Sequence, residues 1–558
     1  MKKARRVNTA RVPTALTSAA IAALLLVALL ALAGCGTASK TADNSATSDS
    51  PKKDTLTIAI AGETSNIDPA YCYDDENNPV ADQITETLLY YDAENQLQPG
   101  LVEKWEAVDD TTYVYDLRQN VTFSDGTPLT VEDVLYSLER YRDPDIASYV
   151  GWMYDNVDTM EKTGDWQFTV KLKAADATWE HIFASSAGMV TQKAFCESAG
   201  DQFGKPGTGT LGTGPYKLSD WKTGSQIVLE YNENYWNKAA IGDPQIKKVV
   251  FQFIEEDSTR VMALTSGQVD VIFSTPVEMI DQVKNDEDSR LVTVPSAGLE
   301  FIAFNTRKAP FDDVNVRRAI ASAINVAAMQ ENIVKDYGDP TNWILIPENM
   351  FTFEKAAWDD YVANRAPKYE YNLDEAKKYL AASSVPDGFD CTITLDSRSI
   401  AESVALSIQQ ALKELNINVE INKISYDEWI GLYMGENIAD GVRPYDLFLG
   451  QWFSDFPDPS GDLTPILSST GYGEGGSNTS GFSNKTVDEL CAKQAASSDD
   501  AERADLMFQI LDIVGDEMPY YVWCHPNYLF GASEEFADSL NFGPFYVWNF
   551  SVAGVRSK

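Results

Sequence analysis

The chain is 558 residues long, with 84 Asp and Glu against 44 Lys and Arg and a formal charge of −40 at pH 7. So acidic a surface repels phosphate backbones, which excludes nucleic-acid binding, and its first use is solubility. The length exceeds a single hydrophobic core and suits about three structural units.

The first segment reads as an export signal. Lys2, Lys3, Arg5, Arg6 and Arg11 precede an apolar stretch from Ala15 to Ala33, which ends Leu32-Ala33-Gly34-Cys35. A basic head, an apolar middle and small residues before a cut site make a secretory leader. A retained transmembrane helix would need an apolar run of this length but not the small-small-Cys ending. That ending resembles a bacterial lipobox, which implies cleavage before Cys35 and lipid on the new N-terminal cysteine. Two acyl chains there would meet the condition for stable anchoring. Up to Asp54 the chain is Thr, Ala, Ser, Asp and Lys without apolar periodicity, a flexible spacer.

Order is expected from the strand Leu56–Ile60. Tyr113–Leu117 and Gln167–Leu172 read as hairpin strands, with the turn signal Ser124-Asp125-Gly126-Thr127-Pro128 between them. The segment from about 91 to 211 therefore looks like an inserted subdomain. Thr130 to Asp133 forms a capping box opening a helix through Val134, Leu135 and Leu138, and Asn372 to Glu375 opens another. Val404, Ile408, Ala411, Leu412 and Leu415 keep a helical period. With Cys391–Leu395 before them and Ile417–Ile421 after, they predict a βαβ unit. Asp446–Gly450 predicts a buried strand, followed by an aromatic loop, Gln451 to Pro459. Gly471–Asn484, rich in Gly, Ser and Asn, reads as a second flexible zone. Strands and helices alternating in this way indicate an α/β architecture with mixed sheets.

Several motifs mislead. Gly207-Thr208-Gly209-Thr210-Leu211-Gly212 has dinucleotide-loop spacing, but Lys205-Pro206 precedes it and Thr213-Gly214-Pro215-Tyr216 follows. It lacks the strand before and the helix after that the chemistry needs, and reads as a glycine turn. Asp455, Asp458 and Asp462 suggest calcium, yet their spacing is not that of an EF-hand loop and Pro457 and Pro459 stiffen it. No metal and no cofactor are assigned. GxSxG, HExxH and Walker A sequences do not occur, and with 84 acids in the chain two neighbouring carboxylates carry no weight for glycosidase chemistry. With only His181 and His525 in the chain, a histidine-pair mechanism is disfavoured. Setting Cys35 aside, Cys72, Cys196, Cys391, Cys491 and Cys524 form no CxxC pair, which removes zinc and thioredoxin-like readings. One or two disulfides are allowed outside the cytoplasm, with no pairing assigned. The aromatic loop residues Tyr73, Tyr149, Trp452 and Phe453 suit a ligand cleft, the last two following a buried strand where open α/β sheets place ligands.

Four blocks then resemble the extracytoplasmic solute-binding proteins of the oligopeptide/dipeptide/nickel class, solute-binding protein family 5, which serve ABC importers. They are Trp105–Asp110 with Leu117-Arg118 and Phe123–Thr130; Gly212–Tyr216 with Trp221, Gly224 and Asn234-Tyr235-Trp236; Phe304-Asn305-Thr306 with Val316–Ile320; and Trp452–Pro459. The resemblance implies a two-lobed periplasmic-binding-protein-like fold of type II, α/β with mixed sheets, an extra inserted subdomain and a hinge between lobes. Residues 1–34 would be the signal peptide and 35–53 the lipidated cysteine and spacer. Lobe I would join 54–300 to 520–558, and lobe II would span 305–515, with crossings near Phe301–Asn305 and Met518–Tyr521. It further implies that Asp455 holds a peptide's α-ammonium and Arg398 its carboxylate, with Trp452, Phe453, Tyr73, Tyr149 and Tyr521 walling the cleft. The expected protein is a non-enzymatic, monomeric receptor, lipid-anchored through Cys35 on the outer face of a Gram-positive cell membrane. It would bind peptide between the lobes and deliver it to a permease and, through that, to ATPase subunits. The alternatives are the same receptor with an oligosaccharide, nickel chelate or haem as cargo, and, remotely, a secreted acid-pair hydrolase.

Overall fold

One 14-residue strand near the C-terminus joins most of the molecule together. The computed structural model describes residues 53–341, 345–436, 438 and 441–558; the export signal, Cys35 and all but the end of the spacer lie outside the described residues. The strands in chain order begin with β1 (Thr55–Ile60), then a ribbon of β2 (Leu89–Tyr91) and β3 (Leu97–Pro99). A separate sheet follows with β4 (Val102–Asp109), β5 (Thr112–Leu117), β6 (Val157–Gly164) and β7 (Gln167–Leu172). The large sheet then takes β8 (Tyr216–Lys222), β9 (Gln226–Tyr231), β10 (Lys248–Phe253), β11 (Val271–Ile272), β12 (Ser289–Pro295), β13 (Gly298–Phe304) and β14 (Gly338–Pro340). It is completed by β15 (Phe389–Leu395), β16 (Ile417–Lys423), β17 (Leu447–Phe453) and the long β18 (Tyr520–Ser533).

The large sheet runs β16-β15-β17-β13-β18-β11-β1-β10-β9-β8, with β12 and β14 also paired to β18. Its two halves, β16 to β13 and β11 to β8, thus meet on one shared strand. Every residue of β13 is buried, as a strand paired on both edges and covered on both faces requires. Tyr520 to Cys524 of β18 pair with β13, and Asn527 to Ser533 pair with β12. One core lies under β1 and β8 to β10, where the C-terminal Phe536, Phe542, Tyr546 and Phe550 pack on Ile58, Phe251 and Phe273. The two-lobed α/β architecture follows from this arrangement.

The local readings meet the structure in different ways. The helix Val131–Arg142 carries both halves of the Thr130/Asp133 capping box, and Asn372 caps Leu373–Ala381. β15, the helix Ser399–Leu412 and β16 form the βαβ unit, the strands parallel and paired from Phe389↔Ile417 to Leu395↔Lys423. β4 to β7 form an antiparallel sheet in the order β4-β5-β7-β6 inside the segment read as an insertion. The GxGxxG run is a turn in which Gly207 and Gly209 have φ of +89° and +67°, and the next regular element is the strand β8. The zone 471–484 is not the flexible loop expected: Asn478, Thr479 and Ser480 have no exposure. Asn478 Nδ2 donates to the carbonyls of Ser468 and Phe482, and Thr306 N donates to Ser480 O. Short polar side chains there replace a missing sheet edge with side-chain hydrogen bonds. All five described cysteines are buried free thiols, so no disulfide joins them.

The sequence blocks around Phe123–Thr130, Gly212–Tyr216 and Asn234–Trp236 converge on one carboxylate. Glu86 accepts from Thr213 Oγ1 at 2.7 Å, Trp236 Nε1 at 2.7 Å and Tyr235 Oη at 2.9 Å. Gly212 must be glycine here, because a Cβ would lie 2.1 Å from the Ile84 carbonyl oxygen. Ser124 N donates to Gly212 O, and Asn234 Nδ2 to Ser124 O. These blocks are therefore scaffold, fixing the first half-sheet to the insertion. Glu86→Ala strands three donors, each costing about 1–3 kcal/mol when unsatisfied. It should lower stability by roughly 2–4 kcal/mol on that scale, read as a lower urea midpoint. Glu86→Gln, which still accepts, should lose less. An unchanged midpoint for the alanine variant would contradict this role.

Candidate functional site

β17 ends at Phe453, three residues beyond the strand expected from sequence, because Gln451, Trp452 and Phe453 continue to pair with Glu300, Leu299 and Gly298 of β13. Trp452 and Phe453 are strand residues, and alternation sends them to opposite faces. Trp452 is half-buried, its Nε1 donating to Gly461 O at 3.1 Å. Phe453 lies over Gly298, where a Cβ would come within 2.5 Å of its ring, and stacks on Tyr528 at 5.9 Å and 20°. The two rings do not share one wall.

Asp455 follows at the strand's end, half-buried. It meets the loop after the short helix Pro69–Tyr71: Tyr73 Oη donates to Asp455 Oδ1 at 2.6 Å. Tyr73 is 37% exposed and packs on Trp548 at 5.4 Å. Burial pushes the Asp455 carboxyl up to about 6, with the Tyr73 hydrogen bond acting against it. Two residues after Tyr73, Asp75 is exposed, yet surrounding protein pushes it up to about 6 as well, opposed by a hydrogen bond from Tyr546.

Arg398 stands just before the helix Ser399–Leu412. Its Nε donates to Asp396 Oδ2 at 2.7 Å, and its Nη1 to Glu300 Oε1 at 3.0 Å and to Gln451 Oε1. Asp396 and Glu300 are 0% and 2% exposed, and Tyr337 Oη also donates to Glu300. Burial raises the Glu300 carboxyl, while Arg398 and Tyr337 oppose that. Nη2 of Arg398 has no hydrogen bond among the described residues, so the guanidinium, 29% exposed, can still take one acceptor.

The other expected wall residues lie apart from this set. Tyr149 is 58% exposed and stands edge-on to Tyr71 at 5.5 Å. Tyr521 has no exposure, faces Ile302 across β13, and its hydroxyl is buried without a partner; it has no surface to offer a ligand. The three aspartates that suggested calcium diverge. Asp458 receives both its Arg503 hydrogen bonds at 2.8 Å in a buried pair, and both oxygens of the fully buried Asp462 lack partners. Burial holds the Asp462 carboxyl well above the ordinary range, opposed by Trp452, and among the described residues no group of three or more acids, histidines or cysteines is placed to hold a metal ion. His181 is also committed, stacked on Phe456 at 5.6 Å and in contact with Tyr91 Oη.

Sequence reasoning missed Asp75, Tyr426, Tyr528, Tyr546 and Trp548. Tyr426, half exposed, stacks on Trp429 at 5.8 Å, and burial raises its hydroxyl, with Arg398 opposing. Tyr528 and Tyr546 feel Asp75 and stand edge-on to each other at 4.8 Å. The only available signal was the aromatic run from Phe542 to Phe550.

The chain is 26% identical over 498 residues to the probable D,D-dipeptide-binding periplasmic protein DdpA of Escherichia coli strain K12, covering 87% of this chain and 90% of that one. It is 25% identical over 468 residues to the glutathione-binding protein GsiB of Shigella dysenteriae, covering 83% and 88%. Among solved structures, DppA of Helicobacter pylori in complex with peptide STSA superposes with a TM-score of 0.72 at 22% identity, over 90% of this chain and 98% of that one. Residues 96–474 match the family model described as bacterial extracellular solute-binding proteins, family 5, middle, and the chain belongs to that family.

Proposed function

We propose that this protein is the receptor of an ABC importer for short peptides with free termini. Asp455 holds the α-ammonium and Nη2 of Arg398 the carboxylate. The observation that carries the reading is the placement of these groups at the two ends of one segment. Arg398 is fixed to Gln451, four residues before Asp455, and four residues of extended chain span at most about 14 Å. A peptide of two to four residues matches that span. Family membership, and relatives named for dipeptide and glutathione binding, support a small peptide-like solute. No described histidine pair favours a nickel chelate, His181 being enclosed by Tyr91 and Phe456.

Ligand closes the lobes by contacts present only in the closed form. In that state Tyr73 bridges to Asp455, and Ala177 N donates to Ala495 O at 2.8 Å. Cys35 and the polar spacer keep the receptor beside its permease, two acyl chains supplying an anchor at about 0.8 kcal/mol per buried CH₂. Cys35→Ala should move the protein from the membrane fraction to the medium and reduce peptide uptake; a variant that stays cell-bound with normal uptake contradicts the tether.

A charge-assisted hydrogen bond contributes about 1.5–3 kcal/mol, so Asp455→Asn should weaken free-amino tripeptides roughly 10- to 150-fold by calorimetry. N-acetylated peptides should change little. Equal loss for both removes Asp455 from the ammonium role. The pH dependence has a defined sign. Asp455 sits near 6 in the folded protein, above the unfolded value of about 3.9. The ligand-free protein therefore loses stability as pH rises from about 4 to 6. Binding of the ammonium needs the carboxylate, so affinity should fall as pH drops through 6, approaching tenfold per unit. A flat profile from pH 7.5 to 5 contradicts it.

A further inference from the structure

We infer that the cavity between the helix Asn78–Ile84 and the C-terminal segment is a second ligand site, for a free α-amino acid with an apolar side chain. This site is separate from the peptide cleft and does not depend on the peptide reading. The cavity has a volume of about 570 Å³, within the range of about 300–1,000 Å³ that small-molecule sites occupy. Asp82, Thr85, Glu86, Arg118, Trp236 and Trp548 border it. Asp455 and Arg398 do not; the cavity adjoins the cleft through Trp548, which packs on Tyr73 at 5.4 Å.

Three polar groups on its wall are incompletely used. Arg118 Nε donates to Gly100 O at 2.7 Å and Nη2 to Pro99 O at 3.1 Å, and the guanidinium lies 5.7 Å from the Trp236 ring. Its Nη1 has no hydrogen bond among the described residues, and Arg118 forms no ion pair among them. Glu86, the acid whose charge it meets, is already filled by Thr213, Tyr235 and Trp236. Thr85 is 1% exposed, and its Oγ1 is buried without a partner. Asp82 accepts from Phe550 N through Oδ2 at 3.1 Å, while Oδ1 takes no hydrogen bond among the described residues.

These open groups define the ligand. A carboxylate answers the free N–H groups of Arg118, and the Thr85 hydroxyl can donate to the same anion. A phosphate dianion is disfavoured by Asp82 and Glu86 on the same wall. A simple carboxylic acid would leave Asp82 Oδ1 unused. Burial holds that carboxyl well above the ordinary range, opposed by the Phe550 N–H, and an ammonium in contact would restore its charged form. An α-amino acid brings carboxylate and ammonium together, and the rings of Trp236 and Trp548 give its side chain an apolar wall.

The test is calorimetry on the purified protein with leucine, leucinamide and N-acetylleucine. Leucine should bind, and each blocked form should bind at least about tenfold more weakly, the loss of one charge-assisted contact. Asp82→Asn should weaken leucine about tenfold and Thr85→Val about fivefold, whereas Asp455→Asn should leave it unchanged. Absence of leucine binding, or equal binding of the blocked forms, overturns the inference and leaves the peptide reading untouched. Leucine binding that is lost in Asp455→Asn and kept in Asp82→Asn also overturns it, by placing the amino acid in the peptide cleft. If Asp82→Asn does not fold, unchanged leucine binding in Thr85→Val overturns it instead.

Discussion

The pairing of β13 with β18 is the constraint on which the rest of the molecule depends. β18 holds β13 and β14 toward its N-terminal end and β12 and β11 toward its other end, so both half-sheets read their register from one strand. β13 passes that register to β17, and β17 carries Gln451 and Phe453 and ends two residues before Asp455. A one-residue slip would send every side chain of β17 to the opposite face. Full burial of β13 makes such a slip costly, since it would expose or strand an entire apolar strand. The positions of Gln451, Phe453 and Asp455 are thus set by hydrogen bonds that lie behind them.

Against that rigid sheet the cleft holds incompletely compensated charge. Arg398 is anchored by two nearly fully buried acids, so it is held in position before any ligand arrives. Asp455 and Asp75 are desolvated without a cation, and each is steadied by a tyrosine hydroxyl. A desolvated carboxylate without a cation costs free energy that an opposite charge would recover. The buried Asp458–Arg503 pair lies a few residues away and is already satisfied, whereas Asp455 meets a tyrosine hydroxyl rather than a cation.

Much of this was legible in the sequence, for identifiable reasons. The capping box at Thr130, the cap at Asn372 and the βαβ unit from Phe389 to Lys423 are local patterns, and local patterns survive folding. The motif blocks were recognised as specific, but only the structure shows that Glu86 is what they surround. Side-chain direction was not legible. Trp452 and Phe453 are adjacent in sequence and diverge by strand alternation. Tyr521 is fully buried and Tyr528 half-buried, and between them β18 shifts register opposite Glu300 and Phe301, which no alternation pattern foretells; the sequence reading took the buried one. Asp75 was hidden among 84 acidic residues, because its contact with Tyr546 joins positions far apart in the chain. The loop from 471 to 484 looked flexible by composition, whereas its small polar residues are those able to hydrogen-bond backbone in a tight, buried space.

The central claim is that the cleft carries a short peptide by its charged ends. Native mass spectrometry of the protein purified from its own secreting cells, followed by release and fragmentation of whatever it holds, tests this most directly. The account predicts bound masses of two- to four-residue peptides with free amino termini. A bound oligosaccharide, haem or metal chelate, or peptides with blocked amino termini, would contradict it.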